Sequence, residues 1–285
     1  MMIVGAYVGF SKLLVAVFPV FLLAWLRFGI AAIAMATWLK RGSDDAPLDT
    51  RTRYLVFLES FLGNFLFSVC MLFGMLHATA ISAGVIMAGI PAAVALLSRV
   101  FLKERLSVRM MLAIALGVVG ISVLALSRGG RDEGAVSMLG TLLLLGAVLC
   151  EASYVVIGKQ LTGKLSPKRI SALINVWGLA LVTPLGIYAA WSFDFASVSV
   201  NIWGGLVLYA LAASMWTVWL WMTGLKTVPA TQAGIFTVFL PITSALVGVQ
   251  FLGESFTAAH ALAFACALAG VVLATWPTAR ATRAA

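Results

Sequence analysis

The sequence contains few charged residues for its length. Only 10% of its 285 residues are charged, and just 10 are acidic. A water-soluble domain is about one quarter charged. With 62% hydrophobic residues and a mean hydropathy of +1.08, the chain has more apolar surface than a soluble fold of this size can bury. The shortage of charge therefore excludes a soluble globular protein and indicates a lipid environment.

Cysteine and histidine are also scarce, and their scarcity excludes several kinds of site. The three cysteines, Cys70, Cys150 and Cys266, lie in apolar runs, without metal-ligand spacing or an even count for disulfides. There are only two histidines, and the sequence has no HExxH motif, Gly-rich phosphate loop or Ser/His/Asp set. We therefore expect no enzyme active site, no metal and no cofactor.

Long apolar runs make up most of the chain. A helix needs roughly 20 apolar residues to cross a bilayer core of about 30 Å. Since lipid offers no partner to unpaired backbone groups and the runs lack strand alternation, we predict an all-α membrane protein with ten transmembrane helices. The runs are 1–18, 20–39, 54–76, 79–101, 108–127, 135–158, 169–191, 201–223, 230–252 and 257–276.

Lysine and arginine are distributed unevenly over the gaps between these runs. With a cytoplasmic N-terminus, 15 of the 19 fall on the cytoplasmic side and only Arg128 and Arg131 on the other. This bias follows the positive-inside rule, so we expect both termini in the cytoplasm. The same rule accounts for the net charge of +9 without any nucleic-acid partner.

One segment of the chain is repeated 150 residues later. Residues 74–120 and 224–270 share 14 identities in 47 ungapped positions. Because a five-helix repeat crosses the membrane an odd number of times, the second half, 134–280, must be inverted relative to the first, 1–127. Inverted-topology repeats are typical of secondary transporters, which hold substrate between the repeats near the midplane. The aligned residues include Pro91/Pro241 and Glu104/Glu254, with a weaker echo between Tyr7–Leu14 and Tyr154–Leu161.

Several short motifs stand in a fixed order along the chain. They are Gly5, Lys12, Pro19 and Arg27 near the start, then the turns FLKERLS and FLGESFT. In this order they resemble the EamA-like transporters of the drug/metabolite transporter superfamily, although Val4 stands where that family typically has tryptophan. The resemblance covers nearly the whole chain and implies a bacterial inner-membrane exporter of small metabolites. Within the family the chain is most similar to the amino-acid exporter branch, which implies aromatic and other neutral amino acids as substrates.

Charged side chains at membrane depth are costly, which makes each one a candidate for function. Lys12 could attract a substrate carboxylate or form a pair within the bundle. Arg27 could bind a carboxylate through two hydrogen bonds or cap helix ends. Glu151 is the most interior acid and could exchange a proton during transport or pair with a cation. Glu59 is nearer the end of its span, where we expect an interfacial group.

Polar and aromatic side chains at the same depth complete the candidate binding site. Amide and phenol groups could hydrogen-bond a substrate or join helices. Indole rings could line a pocket for aromatic substrates or face lipid, and Trp221 fits an interfacial belt. The candidates of this kind are Asn64, Tyr154, Asn175, Trp177 and Trp216.

Two matched prolines suggest how such a protein could move. Pro91 and Pro241 lie in mid-span, where each removes a backbone hydrogen bond and kinks its helix, which predicts hinges for alternating access. A channel would need a ring of like groups, and a scaffold would not need charges at depth. We therefore expect a carrier that works as a monomer, with a small solute and the bilayer as its partners. The alternative is a carrier of lipophilic cations, drugs or other small metabolites.

Overall fold

The computed structural model describes residues 1–42, 45–102, 137–227 and 239–275, with isolated positions between 108 and 123. The described residues are helical and contain no strand, which confirms the all-α prediction. The fifth predicted span, 108–127, lies mostly outside them. The helices are α1 (Met2–Val15), α2 (Val20–Ala34), α3 (Thr50–Leu76), α4 (Ala80–Met87), α5 (Ile90–Leu102), α6 (Met138–Thr162), α7 (Pro167–Trp191), α8 (Val200–Thr227), α9 (Phe239–Phe251) and α10 (Ala258–Thr275).

Four helices, α3, α6, α7 and α8, are long and apolar enough to cross a membrane. They have 25 to 28 residues, so at 1.5 Å per residue each exceeds the roughly 30 Å of a hydrocarbon core. The other apolar helices of the described chain are shorter. Each described helix coincides with a predicted run to within several residues, except 79–101, which is divided between α4 and α5, and 230–252, which is described only from residue 239. Ten spans in two inverted halves remain a prediction.

Short polar residues begin several of the helices. The side chain of Asp49 accepts a hydrogen bond from the backbone nitrogen of Thr52 at 2.8 Å, and Thr79 and Ser137 cap α4 and α6 in the same way. The bonds from Thr52, with the nearby ammonium of Lys164, lower the pKa of Asp49 to about 2. These caps mark the points where the three helices begin.

A buried aspartate fastens the connection between α2 and α3 to the turn between α6 and α7. Asp45 is only 3% exposed and accepts hydrogen bonds from the backbone nitrogens of Gly42 and Ser166 and from Arg169. Burial disfavours the ionised carboxylate, but these bonds and the charge of Arg169 hold the pKa of Asp45 below its ordinary value. Asp45 therefore links two connections at one end of the bundle.

The long helices α3 and α6 are antiparallel, so the beginning of one lies beside the end of the other. Along α3 and α6, Gly63 faces Tyr154 and Gly74 faces Leu144. We call the end where α1 begins and α8 finishes the Met1 end. The opposite end, which holds the turn between α9 and α10, is the Glu254 end.

Small residues allow α1 and α9 to pack closely. A Cβ atom at Gly5 would lie 2.3 Å from the carbonyl oxygen of Leu240, and one at Gly9 would lie 2.5 Å from Val247. Lipid tails are as apolar as leucine, so helices in a membrane associate through such close packing rather than through exclusion of water. The two glycines therefore allow the backbone of α1 to pack directly against α9.

Helices α3 and α8 each contain a π-helical segment near the middle. The segments are Phe61–Leu66 and Leu211–Trp216, and they lie 150 residues apart, the same offset as the sequence repeat. Glu59 precedes the π-helical segment of α3 and Met222 follows the π-helical segment of α8, yet both residues lie against Gly158. The two helices therefore run in opposite directions. A π-helical turn inside an α-helix is uncommon and frequently marks a functional site.

The helix breaks shortly before Pro91. Helix α4 ends at Met87 and α5 begins at Ile90, with the backbone nitrogen of Gly89 bonded to the carbonyl of Ile86 at 3.0 Å. Pro91 is therefore the second residue of α5, where its missing N–H leaves no helical bond unmade. Pro241 is the third residue of α9, and residues 228–238 before that helix lie outside the described chain.

Candidate functional site

A cavity of about 470 Å³ lies between α1, α2, α3, α6 and α8. This volume suits a small ligand. Four of the predicted site residues line it: Arg27, Asn64, Glu151 and Tyr154. The walls also include Tyr7, Phe67, Thr217, Trp221 and Phe239, so aromatic surface surrounds the polar groups.

Arg27 is the cationic side chain among the residues that line this cavity. It is 4% exposed, and its Nη2 atom donates a hydrogen bond to the hydroxyl of Ser68. Its guanidinium carbon lies 4.2 Å from the ring centroid of Phe28 and 5.4 Å from that of Tyr7, distances typical of cation–π contacts. Within the described residues Arg27 forms no ion pair, and its buried Nε atom has no hydrogen-bond partner.

The π-helical segment of α3 supports Arg27. The hydroxyl of Ser68 donates in turn to the backbone carbonyl of Asn64, inside that segment. The Asn64 amide donates to the carbonyl of Ile174 at 2.9 Å, and Ser60 donates to the same carbonyl at 2.6 Å. The segment is thereby fixed to α7, and the chain of hydrogen bonds holds the guanidinium at mid-depth.

Glu151 and Tyr154 face the cavity from one side of α6. They stand three residues apart, a spacing that places both side chains on the same face of a helix. The Tyr154 ring packs on Gly63, where an added Cβ would lie 2.3 Å from the ring. A glycine is therefore needed at the point where α3 crosses this tyrosine.

Buried polar atoms without a partner concentrate on the cavity walls. Burial of such an atom is costly, so each one in a native structure requires an explanation. Two are nitrogen donors, on Arg27 and Trp221, and three are hydroxyls, on Tyr7, Tyr154 and Thr217. All five can donate a hydrogen bond to the same kind of ligand atom, an anionic or carbonyl oxygen.

Four of the predicted site residues lie outside the cavity lining. Lys12 forms an ion pair with Glu254 at 3.0 Å. The Asn175 amide donates to the carbonyl of Phe28 at 2.9 Å and joins α7 to α2. Trp177 and Trp216 are 43% and 42% exposed on the outer surface of the bundle.

Three residues have surroundings that differ from the sequence expectation or were not singled out by it. Trp221 lines the cavity instead of belonging only to an interfacial belt. Glu59 is fully buried instead of interfacial. Tyr7 was not a predicted site residue, although the repeat aligns it with Tyr154, which was. Alignment of the two halves was the signal that could have identified Tyr7.

At the Glu254 end, one carboxylate connects three parts of the bundle. Glu254 accepts hydrogen bonds from Lys12 of α1 at 3.0 Å and from the backbone nitrogens of Ala80 and Ile81 at 2.8 and 3.1 Å. Its side chain is 7% exposed and caps the N-terminus of α4, where the helix dipole favours a negative charge. We call this set, Glu254 with Lys12, Ala80 and Ile81, the Glu254 latch.

A glycine positions the latch. Gly253 follows α9 with φ +65°, a conformation that side chains disfavour, and the nitrogen of Glu254 bonds back to the carbonyl of Gly248 at 3.0 Å. This closure of a helix through a left-handed glycine is common at helix ends. It turns the chain sharply, so that Glu254 points back into the bundle.

The fold and the cavity define a class of protein: a multi-pass helical membrane protein with an internal site for a small molecule. The profile of the EamA-like transporter family matches residues 1–126 and 138–276, nearly the full length. The chain therefore belongs to the EamA-like transporter family and is a membrane transporter.

Relatives of similar length support this assignment. The chain is 32% identical to the uncharacterized transporter YetK of Bacillus subtilis, over 95% of this chain and 83% of the relative. It is 28% identical to the transporter YwfM of the same organism, over 87% and 81%. A solved crystal structure superposes with a TM-score of 0.64 at 18% identity, over 99% of this chain and 96% of the other, which shows the same fold.

Proposed function

We propose that this transporter exports neutral amino acids, aromatic ones among them, by alternating access. The observation that carries the proposal is the set of unpartnered buried donors around Arg27 on the cavity wall. A guanidinium, an indole N–H and three hydroxyls that converge on one cavity match a carboxylate ligand. Such a ligand would supply the acceptors that these groups lack.

Glu151 supplies a partner for the second charged group of an amino acid, its ammonium group. It lines the same cavity, and within the described residues it forms no ion pair. A zwitterion could place its carboxylate at Arg27 and its ammonium at Glu151, so that each buried charge gains an opposite charge. The aromatic walls at Tyr7, Phe67 and Trp221 suit an apolar or aromatic side chain.

Alternating access is supported by the asymmetry of the two ends. The cavity extends from mid-depth to Met1 and Leu225 at the Met1 end. At the other end the Glu254 latch joins α1, α4 and the turn after α9. The π-helical segments, 150 residues apart in antiparallel helices, support two inverted halves at 1–127 and 134–280. The break before Pro91 supports a hinge there, and we propose its counterpart at Pro241.

The membrane location and orientation that we propose are based on the distribution of Lys and Arg and on the family resemblance. The excess of Lys and Arg in one set of connections supports cytoplasmic termini. The resemblance to EamA-like transporters supports a bacterial inner membrane as the location. Export as the direction comes from the resemblance to amino-acid exporters. A cavity formed by helices of one chain supports a monomer as the working unit.

Exchange in proteoliposomes tests the substrate class. Purified protein should exchange labelled neutral amino acids in counterflow, with aromatic ones among the substrates. R27M should raise the half-saturating concentration at least about tenfold, since loss of a charged hydrogen bond costs about 1.5–3 kcal/mol. R53M is the matched control, because Arg53 is exposed and bonds only to a local carbonyl. Absence of amino-acid exchange in the folded protein would contradict the proposal.

A carrier of lipophilic cations is the second candidate. Glu151 and the largely apolar walls favour it, because an acid in an aromatic cavity can bind an organic cation. Counterflow of labelled tetraphenylphosphonium distinguishes the two. If this cation exchanges, E151Q abolishes its exchange and R27M does not, then the cation carrier replaces the amino-acid carrier as the function.

A further inference from the structure

Glu59 is a buried acid that the proposed binding site does not use. It lies in α3, two residues before the π-helical segment, and is 0% exposed. Neither of its carboxyl oxygens has a hydrogen-bond partner within the described residues. An isolated ionised carboxylate in such a place costs several kcal/mol, whereas the neutral acid costs far less. A proton on Glu59 would remove most of that cost.

The space around this carboxyl is built by a glycine. A Cβ atom at Gly158 of α6 would lie 2.8 Å from the Oε1 atom of Glu59 and 3.0 Å from Met222 of α8. Any larger residue at 158 would displace the acid. The carboxyl group is thus enclosed between α6 and α8.

No cation forms an ion pair with Glu59 within the described residues. On the neighbouring helices, Lys159 donates to the carbonyl of Leu225, Arg169 is bonded to Asp45, and Arg27 is bonded to Ser68. The titratable groups near this part of α3 on the helices packed around it are the amino group of Met1, Tyr7 on α1, Arg27 on α2, Glu151, Tyr154 and Lys159 on α6, Lys168 and Arg169 on α7 and Lys226 on α8.

Tyr154 connects the buried acid with the cavity. Residues 151, 154 and 158 of α6 share one helix face, and Glu59 lies at the level of Gly158. Tyr154 therefore stands between Glu59 and Glu151. Its hydroxyl is buried without a partner, while the residue lines the cavity. A hydroxyl that can both donate and accept is the group that a proton relay requires at this position.

We propose that Glu59 is the proton-binding site of this transporter and that its proton is exchanged for solute through Tyr154. The inference rests on the proposed transport function. Neither Glu59 nor the Tyr154 hydroxyl is hydrogen-bonded in this conformation, so the relay requires a rearrangement that brings them together. The Tyr154 oxygen then accepts the proton of Glu59 and releases its own to the Glu151 carboxylate, so that one proton moves and no net charge remains on Tyr154. Glu59 is left as a carboxylate, which becomes tolerable only when the helices around it move and admit water or a donor. The adjoining π-helical segment is the natural place for that change.

The test compares E59Q with the unchanged protein in proteoliposomes, using the amino acid that exchanges best. Glutamine mimics the neutral acid in size and charge, so E59Q should fold and should retain counterflow within about twofold. For one proton per solute, each unit of imposed pH gradient should drive about tenfold accumulation in the unchanged protein, since one pH unit is 1.36 kcal/mol. E59Q should show no accumulation. D194N is the matched acid-to-amide control, since Asp194 lies in an exposed connection.

Each outcome has a distinct meaning. Loss of gradient-driven accumulation in E59Q with counterflow retained supports the inference. Accumulation that persists in E59Q overturns it, and so does a folded E59Q that has lost counterflow as well. An unchanged protein that exchanges solute but ignores the pH gradient also overturns it, while leaving the transport function intact. An unchanged protein with no exchange of any amino acid refutes the proposed function instead.

Discussion

Replacement of Glu254 by glutamine should loosen the Glu254 latch and shift the balance between conformations. The two carboxylate oxygens accept separately from the backbone nitrogens of Ala80 and Ile81, and the amide oxygen of glutamine can replace only one of them. E254Q therefore weakens the cap of α4 and also removes the charge attraction to Lys12. At 3.0 Å and an effective dielectric constant of about 20, that attraction is about 5 kcal/mol before desolvation. The Lys12 side chain is 36% exposed, so solvent screening reduces the net contribution to about 1–2 kcal/mol.

A loss of this size has a measurable consequence. A change of one or two kcal/mol alters an equilibrium by about 5- to 30-fold. If the latch holds the Glu254 end closed, E254Q should raise the population that is open at that end by this factor. A residue buried behind the latch should then react faster with a reagent added from that side.

Ser244 provides the readout. It is 0% exposed, and its hydroxyl donates to the carbonyl of Ala80 at 2.6 Å, beside the latch. S244C in a chain without the three native cysteines should react with a membrane-impermeant maleimide about 5- to 30-fold faster when E254Q is added. K164M is the matched control, because it removes an exposed ion pair with Asp49 at the Met1 end.

A double-mutant cycle decides whether the two charges act together. K12M, E254Q and the double variant should show a coupling of about 1 kcal/mol in thermal stability or in labelling rate. Labelling of S244C that stays within twofold in E254Q, or effects of K12M and E254Q that simply add, would refute the latch.

Other predictions concern single positions. G63A should destabilise the protein by about 1–3 kcal/mol, because the new methyl group collides with the Tyr154 ring. G253A should cost about 1–2 kcal/mol, since φ +65° is unfavourable for alanine, and should speed S244C labelling. The pKa of Asp45 is lower in the folded state, so its contribution is present at neutral pH and should be lost as pH falls below about 4, a pH dependence that D45N should lack. Cysteines placed at 104 and 254 should be labelled from opposite sides of the membrane.

Each of these expectations has an outcome that contradicts it. A melting temperature in detergent that is unchanged in G63A would contradict the close contact of residue 63 with the Tyr154 ring. An unchanged melting temperature in G253A would contradict the requirement for glycine at φ +65°. Equal acid sensitivity in D45N and the unchanged protein would show that Asp45 is not the titrating group. Labelling of positions 104 and 254 from the same side would refute the inverted halves.

The helices and half of the candidate site could be predicted from the sequence for one physical reason. Lipid gives no partner to backbone or charge, so long apolar runs must be helices and interior charges must face the centre of the bundle. That reasoning leads correctly to Arg27 and Glu151 on the cavity wall, with Asn64 and Tyr154 beside them.

The remaining positions depended on information that local sequence does not contain. The partner of Lys12 is Glu254, 242 residues away and in a turn instead of a span. Trp216 and Trp221 are both apolar, and in a membrane protein hydrophobicity does not separate the lipid face from the interior. The direction of each ring also depends on the π-helical segment of α8, which ends at Trp216 and shifts the helical phase of the residues after it.

The two π-helical segments make α3 and α8 sensitive to the loss of a single residue. Each wide turn accommodates about one surplus residue, and one residue corresponds to about 100° of rotation around a helix. Loss of a single residue from Phe61–Leu66 would let α3 relax into a regular spiral and rotate Ser68 away from Arg27, with hardly any change in hydropathy. The angular setting of the residues that line the cavity thus depends on one extra residue in α3 and one in α8, which composition does not reveal and which deletion of a single codon would remove.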